Sequence, residues 1–131
     1  MKWRRLCGLG ESLRWSIYTP QAYRFGIEFK RLTTFERSAA GLLSETDVME
    51  LELGLVFAPE SGDVIPGGKG LRKIRWAMTG RGKSGGARVI YYYISKAATI
   101  YLVFAYAKNR QSDLTKNQLA ALAKFVATQI P

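Results

Sequence analysis

A chain of 131 residues is long enough for one domain around one hydrophobic core, and 47% hydrophobic against 23% charged residues is the balance of a soluble globular protein. It has no histidine and a single cysteine, Cys7, which excludes an internal disulfide and removes the usual ligands of a transition metal. The formal charge is +10, and it is localised: residues 64–112 hold ten basic residues and no acidic one, while the remainder of the chain is neutral. Localised positive charge on a folded surface attracts polyanions. Neither a metal nor a cofactor is expected, so any catalysis falls to Lys, Arg, Tyr, Ser/Thr or a carboxylate. The charged start at Met1, Lys2, Arg4 and Arg5 is followed by no apolar run of signal-peptide length, and no window approaches a membrane span, so the cytoplasm is the expected compartment.

In chain order, residues 1–24 lack periodicity, hold Trp3 and Trp15, and read as an extension to a domain spanning 25–131. Residues 25–30 alternate, with Phe25, Ile27 and Phe29 on one face, and predict a first strand. Residues 34–43 predict a short helix. Ser44 then caps a second helix, with Asp47 at its third position and Val48, Leu51 and Leu55 on one face, widened by Met49 and Val56. That helix must stop before Ala58-Pro59, so the two helices form a hairpin. Residues 61–70 hold four glycines and Pro66 and predict a loop.

Residues 71–76 alternate again, placing Ile74 and Trp76 on a dry face and Lys73 and Arg75 on a wet one. Side chains two apart on a strand lie roughly 6–7 Å from each other, close to the phosphate spacing of a nucleic-acid strand. The glycine-rich residues 80–86 come next, then two strong strand signals, RVIYYYI at 88–94 and IYLVFAY at 100–106. Residues 95–99 between them suit a hairpin. Thr115 begins a last helix with Gln118 completing a capping box, and its apolar stripe is Leu119, Leu122, Ala123, Val126 and Ile130. The predicted fold is α+β: a helical hairpin and a C-terminal helix packed on a small antiparallel sheet, in the order βααβββα.

The run Ala77-Met78-Thr79-Gly80-Arg81-Gly82-Lys83-Ser84 satisfies a relaxed phosphate-loop pattern. A phosphate loop leaves a strand and enters a helix, whereas here a second strand comes next, so the expectation is a basic hairpin loop. Arg88 opens its strand directly after the glycines. Lys108 and Arg110 sit where the last strand ends, placed to converge with Arg88 and Lys73 around one phosphate. Alternation does not decide which of Tyr91, Tyr92 and Tyr93 faces outward to stack on a base.

The segments GDVIPGGKGLRKIRW, GRGKSGGARVIYYY and VFAYAKNRQSDLT resemble the RelE/HigB superfamily of type II toxins, in particular its HigB-like, phage-type branch. The resemblance implies the same α+β fold and a ribosome-dependent endoribonuclease that cuts mRNA and thereby inhibits translation. It also implies a cognate antitoxin, of the helix-turn-helix kind, in an oligomeric toxin–antitoxin complex. Carried over by position, it implies Lys73, Arg75, Arg88, Lys108 and Arg110 as the catalytic set. Lys69, Arg72, Arg81, Lys83, Tyr91, Tyr93 and Tyr106 are the expected RNA contacts. The late tyrosine of some members has no obvious counterpart, and Tyr106 or one of Tyr91, Tyr92 and Tyr93 is the candidate substitute. The expected chemistry is attack of the RNA 2′-hydroxyl on the adjacent phosphodiester, with Arg75 and Arg88 stabilising the transition state. Lys73 is the expected proton acceptor, because crowding by other cations helps an ammonium release its proton. The alternatives are a ParE-like inhibitor of DNA gyrase and a non-catalytic RNA-binding relative.

Overall fold

Strands β3 (Leu71–Trp76), β4 (Ala87–Ile94) and β5 (Thr99–Ala107) form an antiparallel meander at the centre of the sheet, built from the β-branched and aromatic runs that favour a pleated, buried surface. In this computed structural model, which describes residues 26–77 and 86–130, two flanking strands, β1 at Glu28–Arg31 and β2 at Asp63–Val64, complete a sheet of order β1-β5-β4-β3-β2. β1 lies parallel to β5, and the two-residue β2 pairs with the start of β3. Helices α1 (Thr33–Ala39), α2 (Glu45–Phe57) and α3 (Lys116–Gln129) supply the rest. The α+β architecture is as expected. The sheet, however, is mixed rather than purely antiparallel, and a fifth short strand lies within the predicted loop 61–70. β1 reaches its partner only after the helical hairpin and three strands have intervened, and local alternation carries no information about such long-range pairing.

Both faces of the sheet are covered. The helical hairpin packs Phe35, Val48, Leu51 and Leu55 onto Phe29, Val89, Tyr91, Ile100 and Leu102. Helix α3 packs Leu122 and Val126, and the residue after it Ile130, onto Leu71, Ile90, Tyr101 and Val103. A strand buried on both sides reads as a continuous apolar run, which is why RVIYYYI shows no clean alternation. The helix starts obey local chemistry: Ser44 with Asp47, and Thr115 with Gln118, each form a reciprocal capping box. Helix α1 ends earlier than predicted, where Gly41 takes a φ of +76°, a conformation glycine adopts without steric cost.

One irregularity in β5 decides which way the end of that strand faces. Ile90 pairs with Phe104 and Tyr91 pairs with Leu102, so Val103 is an extra residue with no partner on β4. A bulge of this kind reverses the facing of everything beyond it. Ile100 and Leu102 point to the helical hairpin, and strict alternation would send Tyr106 after them. Instead Ala105 faces the hairpin and Tyr106 faces the α3 side. Beyond the end of β1, α1 takes over the edge of β5: Thr34 Oγ1 donates to the Val103 carbonyl at 2.6 Å, and the Ala105 amide donates to Ser38 Oγ at 2.9 Å.

An ion pair is buried under the hairpin. The Arg31 guanidinium grips Glu52 through two hydrogen bonds of 2.9 and 3.1 Å and reaches Glu45 at 2.9 Å. Glu52 sits on the inner side of α2, where local pattern offers no reason for a charge. The predicted extension with Trp3 and Trp15, and the loop cations Arg81 and Lys83, lie outside the described residues. β3 and β4 pair directly and antiparallel; of the run that satisfies the relaxed phosphate-loop pattern, all but Ala77 lies outside the described residues.

Candidate functional site

The register of the sheet places Arg75, Arg88 and Tyr106 in one row across three adjacent strands: Arg75 is opposite Arg88, and Arg88 is opposite Tyr106. Neighbouring strands lie about 4.8 Å apart, so these three side chains rise side by side on the α3 face. Lys73 stands one pleat away from Arg75 on that same face, opposite Ile90. Helix α3 covers the other end of the face, near Leu71, Tyr92 and Ile94; at the end bearing the cations Arg75 is exposed and Lys73 partly so, while Arg88 and Tyr106 are buried. The predicted division of β3 into a dry side with Ile74 and Trp76 and a side bearing Lys73 and Arg75 is the one observed.

Arg88 is the unusual member. It is only 7% exposed, yet among the described residues it has neither a hydrogen-bond partner nor an ion pair. A buried guanidinium without a counter-charge is costly, and such groups persist where a ligand supplies the missing partner. Tyr106 beside it is 5% exposed, and its phenol is pushed up to about 12, first by burial and then by the Asp113 carboxylate.

Asp113, in the loop between β5 and α3, is the residue that sequence reasoning missed. It lies just beyond the acid-free stretch and folds back into it. One oxygen, Oδ1, accepts from Lys73 Nζ at 3.0 Å, from the Tyr106 hydroxyl at 3.3 Å and from the Leu114 amide at 2.8 Å. The Lys73 hydrogen bond, chiefly, holds its carboxyl below the usual carboxylate value. The one signal in the sequence is that Asp113 is the first acidic residue after a long basic run, but the 40-residue separation from Lys73 leaves the contact unreadable.

The remaining expected residues divide. Lys108 and Arg110 are exposed on the turn after β5, whose path is fixed by the Lys108 amide donating to the Gly86 carbonyl at 3.1 Å. Arg110 lines a groove of about 470 Å³ together with Leu42, Phe104, Tyr106, Asn109 and Gln111. Lys69 is exposed in the turn preceding β3, at the end of that strand away from Arg75. Arg72 faces the opposite side from Lys73 and Arg75 and donates to the carbonyls of Glu60 and Gly62 at 3.1 and 2.8 Å, so it staples a loop.

Tyr91 and Tyr93 do not stand on the cationic face either, since both belong to the hairpin side of the sheet. Tyr91 is 0% exposed; its hydroxyl accepts from the Gly62 amide at 2.9 Å and donates to the Pro59 carbonyl at 2.8 Å. No surface remains on its ring for a base. Tyr91→Phe strands the buried Gly62 amide and is expected to lower stability by about 1–3 kcal/mol in urea unfolding, with the activity of the folded protein unchanged. A loss of activity without a loss of stability would return Tyr91 to the site.

The family model for the RelE toxin of the RelE/RelB toxin–antitoxin system matches residues 44–130, which hold the second helix, all four later strands and the C-terminal helix. The matched span includes Lys73, Arg75, Arg88, Tyr106 and Asp113. On the extent of that match, and with its helices and strands in this arrangement, the chain belongs to the RelE toxin family.

Proposed function

We propose that this chain is the toxin of a type II toxin–antitoxin pair and an endoribonuclease of the HigB-like branch, cutting mRNA on the ribosome and so arresting translation. The observation that carries the reading is Arg88, a buried cation with no hydrogen-bond or ion-pair partner among the described residues, flanked by Arg75 and Tyr106 on a basic face. A bridging phosphate supplies the charge this row lacks. In-line attack of a 2′-hydroxyl on phosphorus places extra negative charge on the non-bridging oxygens, and preorganised cations act strongly there. Arg88 and Arg75 take that role. Lys73, engaged as a cation with Asp113, binds the phosphate chain, and Lys108 and Arg110 border the departing 5′ oxygen. The groove beside Arg110 and Tyr106 receives nucleotides next to the cut. No helix among the described residues is long and apolar enough to cross a membrane, and the reading places the protein in the cytoplasm with an antitoxin of helix-turn-helix type.

The test is induction in cells, with transcriptome-wide mapping of RNA 5′ ends alongside plasmid supercoiling. Expected are growth arrest and discrete mRNA cuts, both lost in Lys73→Ala and in Arg88→Ala. Altered supercoiling with intact mRNA identifies a gyrase inhibitor instead. Absence of both toxicity and cutting identifies a non-catalytic relative.

A further inference from the structure

We propose that Asp113 accepts the proton of the attacking 2′-hydroxyl, with Lys73 and Tyr106 as the residues that hold its carboxylate in place. The inference rests on the RNA-cutting reading and assigns the general base within it.

A general base needs an open lone pair at the moment substrate arrives. The titratable groups in contact with Asp113 are Lys73 from β3 and Tyr106 from β5; Arg75 and Arg88 stand in the same row of the sheet as Tyr106, and Arg110 and Lys116 flank Asp113 along the chain. Arginine cannot be deprotonated in this role. The Tyr106 phenol keeps its proton, since burial and Asp113 push it up to about 12. Lys73 presents an ammonium to a carboxylate 3.0 Å away. Among the described residues of the cluster, Asp113 alone presents a carboxylate oxygen ready to accept.

Its geometry suits the task. Hydrogen bonds from Lys73, Tyr106 and Leu114 converge on Oδ1, which fixes the carboxylate plane. Among the described residues Oδ2 has no partner, and the side chain is 64% exposed, so a ribose hydroxyl can reach it. The hydrogen bond from Lys73 lowers the carboxyl and so weakens it as a base. A scissile phosphate competes for Lys73, however, and each bond it draws away raises the basicity of Asp113. During cleavage, Asp113 Oδ2 takes the 2′-hydroxyl proton while the 2′ oxygen bonds to phosphorus. The P–O5′ bond breaks, its electron pair leaves on the 5′ oxygen, and that oxygen takes a proton from water. The hydroxide so formed recovers the proton from Asp113, leaving a 2′,3′-cyclic phosphate.

The competing account is that Asp113 only pins the loop before α3. Asp113→Asn separates the two, because an amide oxygen still accepts from Lys73, Tyr106 and Leu114 but is not basic. On ribosomes carrying an mRNA with a mapped cut site, the variant is expected to lose about 100-fold or more in single-turnover rate. Its affinity for the same complex with a 2′-deoxy residue at the cut is expected to stay the same or tighten, since a negative charge has left a cationic site. The wild-type rate is expected to be flat between about pH 6 and 9, well above the titration of a lowered carboxyl, and Asp113→Glu to recover part of the activity. Cleavage by Asp113→Asn within about threefold of wild type overturns the inference, and so does a wild-type rate that climbs about tenfold per pH unit across that range. If the wild type itself cuts no mRNA, it is the RNA-cutting reading that has failed.

Discussion

Arg88→Ala is expected to lower single-turnover mRNA cleavage by about 10²–10³-fold, the cost of deleting one preorganised transition-state donor, while leaving the protein at least as stable as before. The two halves of that expectation have one cause. Arg88 is 7% exposed and carries a charge that no described residue compensates, so the folded protein bears its desolvation without return. Removing it relieves that cost, whereas removing an arginine that only supports the fold would lower stability. Activity and stability therefore move apart, as they do where a site is held in an unfavourable state for function. Arg88→Lys is expected to recover little, because an ammonium lacks the planar fork that spans two phosphate oxygens. The control is Lys96→Ala, which removes the same charge from the exposed 3-10 turn Ser95–Ala97 at the far end of the sheet. It should cleave within about twofold of wild type if placement, not net charge, is what matters. Cleavage by Arg88→Ala at near wild-type rates, or equal losses in both variants, would refute the assignment.

The legibility of each feature in the sequence depends on how local its determinant is. The capping boxes at Ser44 and Thr115 are written within four residues, and both helices begin where those residues require. The facing of Lys73 against Ile74 is legible because β3 alternates between basic and apolar residues. β4 is not, since helices cover both its faces and Tyr91 and Tyr92 are equally suited to either. Tyr106 is the instructive case. Its place beside Arg88 depends on the bulge at Val103, and a single unpaired residue in an apolar run leaves no mark on a period-two pattern. Asp113 and Glu52 share another reason. Each is a carboxylate whose partner lies far along the chain, Lys73 at 40 residues and Arg31 at 21, so only the fold discloses that either is paired.

The second large effect falls on the pair that holds the hairpin to the sheet. Arg31→Ala is expected to cost about 3–5 kcal/mol in unfolding free energy, because it leaves Glu52 buried with no counter-charge. Glu52 is 1% exposed and receives two hydrogen bonds from Arg31, while Glu45, Arg31's other partner, is largely in solvent. The pair is not an efficient source of stability, however. Burial pushes the Glu52 carboxyl up to about 7 even with Arg31 drawing it down, against 4.5 for a free side chain. The native state thus binds more protons than the unfolded chain between those values. Stability from this group is fully present below about pH 4.5 and is lost as pH rises through about 7. The unfolding midpoint of the wild type should fall across that window, and that of Arg31→Ala should go on falling to higher pH because the restraint of the guanidinium is gone. Replacing both members with apolar residues of similar volume, Arg31→Met with Glu52→Leu, is expected to recover most of the loss and to flatten the pH dependence. A single variant no less stable than wild type, or a double variant as unstable as the single one, would show that the hairpin is held by its apolar contacts alone. RNA cleavage by the double variant should be unchanged, because this pair lies beneath the helical hairpin while Arg88 and Asp113 act from the opposite face of the sheet.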